Sequence, residues 1–170
     1  MQSKFLPGIN SDIVKKMMEL GQYSELYDLF TQPLHEELYQ RQSFAFLDEL
    51  SGAQQLLLSY DYVRMQVLQG GFIQFIHNGY IALLPKTIEL LGEIGLSEMA
   101  KLMDDVLKVF VLNKDLFDTA ESVQEFAKLY DELKEFEIID DNFAQLNDAT
   151  LKGIIEYVIQ HINDVAIFES

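Results

Sequence analysis

Gln69-Gly70-Gly71-Phe72-Ile73-Gln74-Phe75-Ile76-His77-Asn78 interrupts what otherwise reads as one long apolar helical stretch in the middle of the chain. Each glycine disfavours helix by roughly 1 kcal/mol relative to Ala, so a local feature must make the pair worthwhile. The structural reading ends the preceding helix at a glycine in left-handed geometry. The second glycine then lets the backbone pass close to a neighbouring helix before Phe72 and Phe75 enter the core. Gln74 and Asn78 would satisfy backbone groups freed at the break. The functional reading makes Gln74, His77 and Asn78 part of a ligand pocket. The structural reading is preferred.

Outward from this break, helical periodicity dominates. Upstream, Ser11–Leu20 is a short helix with Ser11 as N-cap and Gly21 as terminator. Tyr23–Phe30 is a second, stopped by Pro33, and Leu34–Glu49 a third. Gly52–Gln69 is the most apolar segment and is expected at the centre of the bundle. Downstream, Asn78-Gly79 reads as a turn, and Pro85 opens a helix running to about Ile94. Gly95 ends that helix and Ser97 caps the next, which continues to about Val111. Ser122 and Glu125 form a capping box ahead of an apolar face of Val123, Phe126, Leu129, Tyr130, Leu133 and Phe136. A final helix is expected from Asn147-Asp148. The two β-like runs, Val109–Leu112 and Phe136–Ile139, sit at helix ends, so no strand is expected. The fold class is all-α: one domain over residues 1–170, an orthogonal helical bundle of about seven to nine helices.

Composition narrows the function. Cysteine is absent, which removes disulfides and thiolate metal sites and suits a reducing cytoplasm. Met1–Ile9 lacks the sustained apolar region of a signal peptide, and no run of about 18 apolar residues could span a membrane. The chain reads as soluble and cytoplasmic. Its 28 acids against 12 bases leave a formal net charge of −16. Such a surface repels phosphates and anionic headgroups, which disfavours direct nucleic acid or membrane binding, and it attracts basic partners. The plain alternative is that the charge serves solubility. The acids are unevenly placed: Asp115–Asp141 holds ten, opposed only by Lys128 and Lys134. That stretch is too long and one-signed to be ordinary surface patterning.

No residue set establishes a reaction. His35, followed by Glu36-Glu37, lacks a second histidine at zinc-helix spacing, and His77 and His161 lie at expected helix ends. Each is read as a capping or surface residue, so no metal and no cofactor is expected. The carboxylate pairs Asp104-Asp105, Asp131-Glu132 and Asp140-Asp141 point about 100° apart on a helix and do not form a general acid–base dyad. Nucleophile-elbow, Walker and dinucleotide fingerprints are missing, and the Gly pair follows a helix rather than a strand. The Gly95-Leu96-Ser97 turn lacks a basic recognition helix and reads as an αα-hairpin. The protein is expected to be non-enzymatic.

The segment Gly70-Gly71-Phe72-Ile73-Gln74-Phe75-Ile76-His77-Asn78 resembles the signature of a family of small bacterial all-helical domains of unknown function. That family includes an acidic, dimeric DNA-mimic protein. The signature usually reads Asn-Gly-Gly-Phe-x-Gln-Phe/Tyr-Phe-x-Asn; here Gln69 replaces the Asn, and Gln66 stands where the family often has Glu. The resemblance continues through Ile88–Ala100 and toward Tyr157–His161, and it leaves residues 1–45 uncovered. It implies an α-helical fold, no known enzymatic activity and a regulatory binding role, with a homodimer among the states implied. It marks Gly70, Gly71, Phe72, Gln74, Phe75 and Asn78 as signature residues, read here as structural.

Two functions follow. The first is an acidic decoy or regulator occupying the basic surface of a DNA-binding protein. Duplex DNA carries a phosphate per ~3.4 Å of axis on each strand, and carboxylates one helical turn apart lie about 5–6 Å from each other. Glu121, Glu125, Glu132, Glu135, Asp140 and Asp141 are the expected partner-binding residues. The second is a helical protein-interaction or small-ligand module centred on Phe72, Gln74, His77 and Asn78. It requires a concave site there, with a polar side chain not consumed in capping.

Overall fold

In the computed structural model, which describes residues 3–170, eight α-helices carry most of the chain. The described residues group into two compact units, 3–61 with 148–170, and 62–147. Helices α3 (Gly52–His77) and α8 (Glu135–Gln160) contribute residues to both.

The first unit holds α1 (Ser11–Glu19), α2 (Tyr23–Arg41), a 3₁₀ segment Phe44–Glu49 and the adjoining parts of α3 and α8. Three findings depart from sequence expectation. The N-cap of α1 is Asn10, whose Oδ1 accepts the Asp12 and Ile13 amides at 3.0 Å each, while Ser11 donates its hydroxyl to the Glu169 carbonyl. Helix α2 runs straight through Pro33 as far as Arg41. The ring removes one backbone hydrogen bond, but Leu26, Tyr27, Phe30, Thr31 and Leu34 are buried along the helix, and their burial outweighs the loss. A small parallel sheet pairs β1 (Gly8–Asn10) with β2 (Ile167–Glu169), Ile9 opposite Phe168. Strands of three residues are too short to show alternation, so no sequence signal exposed them.

Gln54 ties this unit together. Fully buried, it donates to the Phe5 and Val165 carbonyls at 2.7 and 2.9 Å and accepts the Ser51 amide at 3.0 Å. Leu26, Phe30, Leu56, Ile154 and Val158 are buried in the same unit. His35, expected as a capping or surface residue, instead lies 2.6 Å from the Oδ2 of the buried Asp61.

The second unit holds the rest of α3 with α4 (Leu84–Glu93), α5 (Ser97–Leu112), α6 (Lys114–Thr119), α7 (Val123–Glu132) and the start of α8. Pro85 lies in the first turn of α4 and Gly95, at φ +83°, closes it, as its sequence requires. The α4 and α5 helices pack as a hairpin. Ser97 is the first residue of α5 and not its cap: Leu96 occupies that position without a capping side chain. The α7 capping box is present, with Ser122 Oγ accepting the Glu125 amide at 3.0 Å and Glu125 accepting the Ser122 amide at 3.2 Å. Both β-like runs are helical. The expected start at Asn147 is the middle of α8, since Asn147 and Thr150 are buried within an unbroken helix. Leu133, outside helical geometry at φ −107° and ψ 63°, separates α7 from α8 instead. The all-α class therefore holds, with α3 divided into two helical segments at Gly70-Gly71 and the small sheet as an addition.

Candidate functional site

The break in α3 is built by its two glycines. Gly70 adopts φ −146° and ψ 15°; Gly71 adopts φ 77° and ψ 178°. The first is not left-handed, which corrects the expected helix-ending geometry. The second lies in a region essentially confined to glycine. A Cβ on Gly71 would run into the Asp140 carboxylate, so the close approach made possible there is to a side chain of α8.

That approach has a purpose in the backbone. Resuming at Phe72, the helix presents amides with no partner of their own. Asp140 Oδ1 accepts the Phe72 amide at 2.9 Å. Tyr130, from α7, donates its hydroxyl to the Gly70 carbonyl at 2.8 Å. Burial raises the Asp140 carboxyl to about 6; the Phe72 amide works against that rise, and neighbouring Asp141 adds to it. Burial and then the Asp140 charge hold the Tyr130 phenol above its ordinary value, against a hydrogen bond from the Gln74 backbone. Phe72 and Phe75 are fully buried beneath, Phe72 edge-on to Phe143 with ring centroids 5.5 Å apart.

Gln74 and Asn78 do not serve the backbone. Gln74 Nε2 donates to Gln66 Oε1 and Gln69 Oε1, both at 3.3 Å, and Asn78 Nδ2 donates to Gln66 Oε1 at 2.6 Å. The freed backbone groups are taken by Asp140 and Tyr130, which come from helices remote in sequence. Gln66 and Gln69, where the family signature differs, are the acceptors of this carboxamide network.

Beside the break lies a groove of about 510 Å³. Gln69, Gln74 and His77 of α3, with Asn78 just beyond it, form its polar wall; Val123, Phe126, Ala127 and Tyr130 form the other on α7. The His77 ring sits 3.9 Å from that of Phe126. Val123, read from the sequence as part of an apolar helix face, is 88% exposed, and only Leu129 of α7 is buried. The sequence contained α7's apolar stripe; that part of it faces an open groove depends on what α7 packs against.

The acidic residues divide by role. Glu121, Glu132, Glu135 and Asp141 are exposed and make no ion pair among the described residues. Glu125 is exposed too, but its Oε2 receives the Glu121 and Ser122 amides, which hold its carboxyl below the usual value. Asp140 is half-buried and committed to the helix break. Lys134, near Asp131 and Glu137, offsets two acids outside the expected set. Among the described residues, no cluster of three or more His, Asp or Glu side chains could hold a metal ion. No helix of the described residues is long and apolar enough to cross a membrane.

The fold and this site define an acidic all-α protein whose central helix is broken at a Gly pair and clamped by a tyrosine and a carboxylate. Residues 48–161 match the DMP19-like protein family, and the chain belongs to it. The Gly70–Asn78 segment lies within the matched stretch, as the sequence resemblance implied. No curated protein and no solved structure matches the chain.

Proposed function

We propose that this chain is a non-enzymatic binding protein of the cytoplasm that occupies the basic surface of a DNA-binding protein. The observation carrying this reading is the Asp115–Asp141 stretch, in which nine of ten acids are exposed. Exposed carboxylates at helical spacing resemble a track of phosphates in charge, though not in chemistry. Membership of a family that, by resemblance, includes a DNA mimic supports the same reading. A homodimer belongs to the proposal on that resemblance alone.

The test is capture from the native cytoplasm on immobilised protein, washed at about 50 mM and about 500 mM salt, since phosphate-like contacts weaken steeply with salt. A basic partner retained only at low salt and displaced by duplex DNA supports the proposal. A partner held equally at both concentrations overturns it. The double reversal Glu132→Lys with Glu135→Lys should reduce capture by about tenfold or more, because both carboxylates are exposed and unpaired.

A second reading places function in the groove beside the helix break, as a protein-interaction or small-ligand site. The concavity and the engagement of Gln74 and Asn78 with side chains, leaving the backbone to Asp140 and Tyr130, favour it.

A further inference from the structure

We propose that the groove between α7 and the last turns of α3 seats an arginine side chain of a basic partner, with its guanidinium between carboxamide oxygens and aromatic rings. This rests on the reading that the partner is basic, and it joins the groove to the acidic stretch as one interface.

Three observations carry it. The first is the polarity of the carboxamide wall. Gln66 Oε1 receives N–H groups from both Gln74 and Asn78 and Gln69 Oε1 one from Gln74, so both N–H groups of Gln74 and one of Asn78 are used inside the network. The side-chain carbonyl oxygens of Gln74 and Asn78 receive no hydrogen bond from any described residue, so the wall includes acceptors open to a ligand. A guanidinium, with five donors and no acceptor, can engage those oxygens, and it is the charge of the surroundings that disfavours a carboxylate or phosphate. The second is the opposite wall: Phe126 and Tyr130 present ring surface, on which a planar cation is attracted and a Lys ammonium, more strongly hydrated, is held less well. The third is charge. Helix α7 belongs to the stretch with ten acids and two lysines, and no Lys or Arg lines the groove. The potential there favours a cation on approach. At about 510 Å³ the groove is within the range of ligand-binding clefts, ~300–1,000 Å³, so it has room for the side chain and adjoining backbone.

The experiment titrates ¹⁵N-labelled full-length protein at about 50 mM salt with two capped pentapeptides, Gly-Arg-Gly-Arg-Gly and Gly-Lys-Gly-Lys-Gly. The Arg peptide is expected to bind about three- to tenfold more tightly and to shift the amides of Gln74, Asn78, Ala127 and Tyr130. Phe126→Ala should remove the preference and leave the Lys peptide unchanged; Asn78→Ala, at an exposed position, provides the same test without disturbing α7. Equal binding of both peptides, with shifts confined to Glu121, Glu132, Glu135 and their neighbours, overturns the groove assignment and leaves the basic-partner reading standing. Failure of both peptides to bind overturns both.

Discussion

The Asp140 carboxylate accepts the Phe72 amide at 2.9 Å across 68 residues of sequence. It links two features that look unrelated in the chain, the Gly-Gly-Phe signature and the acidic stretch. One of the acids expected to face a partner is thereby a cap for the resumed helix, and α8 is tied to the break in α3.

The pH dependence of this clamp has a definite sign. Asp140 has its folded value raised to about 6 from an ordinary 3.8, so its contribution to stability is fully present below the ordinary value and is lost as pH rises through about 6. Asp140→Asn keeps an acceptor oxygen for Phe72 and cannot ionise. Urea unfolding should therefore find the variant gaining on the parent between about pH 4 and pH 7. A constant difference across that range would show that the carboxyl titrates normally. Asp140→Ala, lacking the acceptor, should lose about 1–2 kcal/mol, as helix caps do.

Gly71→Ala combines two penalties, an L residue at φ 77° and ψ 178° and a methyl against the Asp140 carboxylate. The expected destabilisation is about 2 kcal/mol or more. Gly79→Ala is the control: φ is +84° but nothing lies within 4 Å of the added Cβ, so about 1 kcal/mol is expected. Equal losses in chemical denaturation would remove the Asp140 contact from the account.

Gln54 is replaced by Leu at the same size but without donors. Two carbonyls, Phe5 and Val165, then lose its N–H groups, and the Ser51 amide loses its acceptor. A loss of about 2–4 kcal/mol follows from leaving several buried groups unsatisfied. Faster amide exchange should appear first in Gly8–Asn10 and Ile167–Glu169. Unchanged exchange there would mean that the sheet is held by other contacts.

Pro33→Ala restores a backbone N–H inside α2 and should raise stability by about 1 kcal/mol or more, read as a shift in the denaturation midpoint. A decrease would mean that the proline's packing or its restriction of the unfolded chain matters more than the missing hydrogen bond.

Legibility followed the range of the interactions. The α7 capping box, Pro85 at the start of α4 and Gly95 at its end were readable because each acts within a turn or two of itself. Ser11 and Ser97 were plausible caps by type, yet Asn10 and Leu96 hold those positions. Pro33 and Asn147 were local stop and start signals overridden by burial. In the candidate site, Gln74, His77 and Asn78 were identifiable by type and position, whereas Tyr130 showed only as an aromatic residue on an amphipathic helix. Nothing in the sequence pairs its hydroxyl with the Gly70 carbonyl.

The sequence by itself determined the all-α class, the Gly70-Gly71 break, the family signature and the acidic stretch from Asp115, because periodicity, backbone freedom and net charge are properties of a segment read in order. The tertiary structure alone decided what completes the break, which glutamine accepts from Gln74 and Asn78, and that Val123 and Phe126 line a groove. Those outcomes depend on which helices meet after collapse, and side chains dozens of residues apart become neighbours through the packing of whole helix faces, which no local pattern encodes.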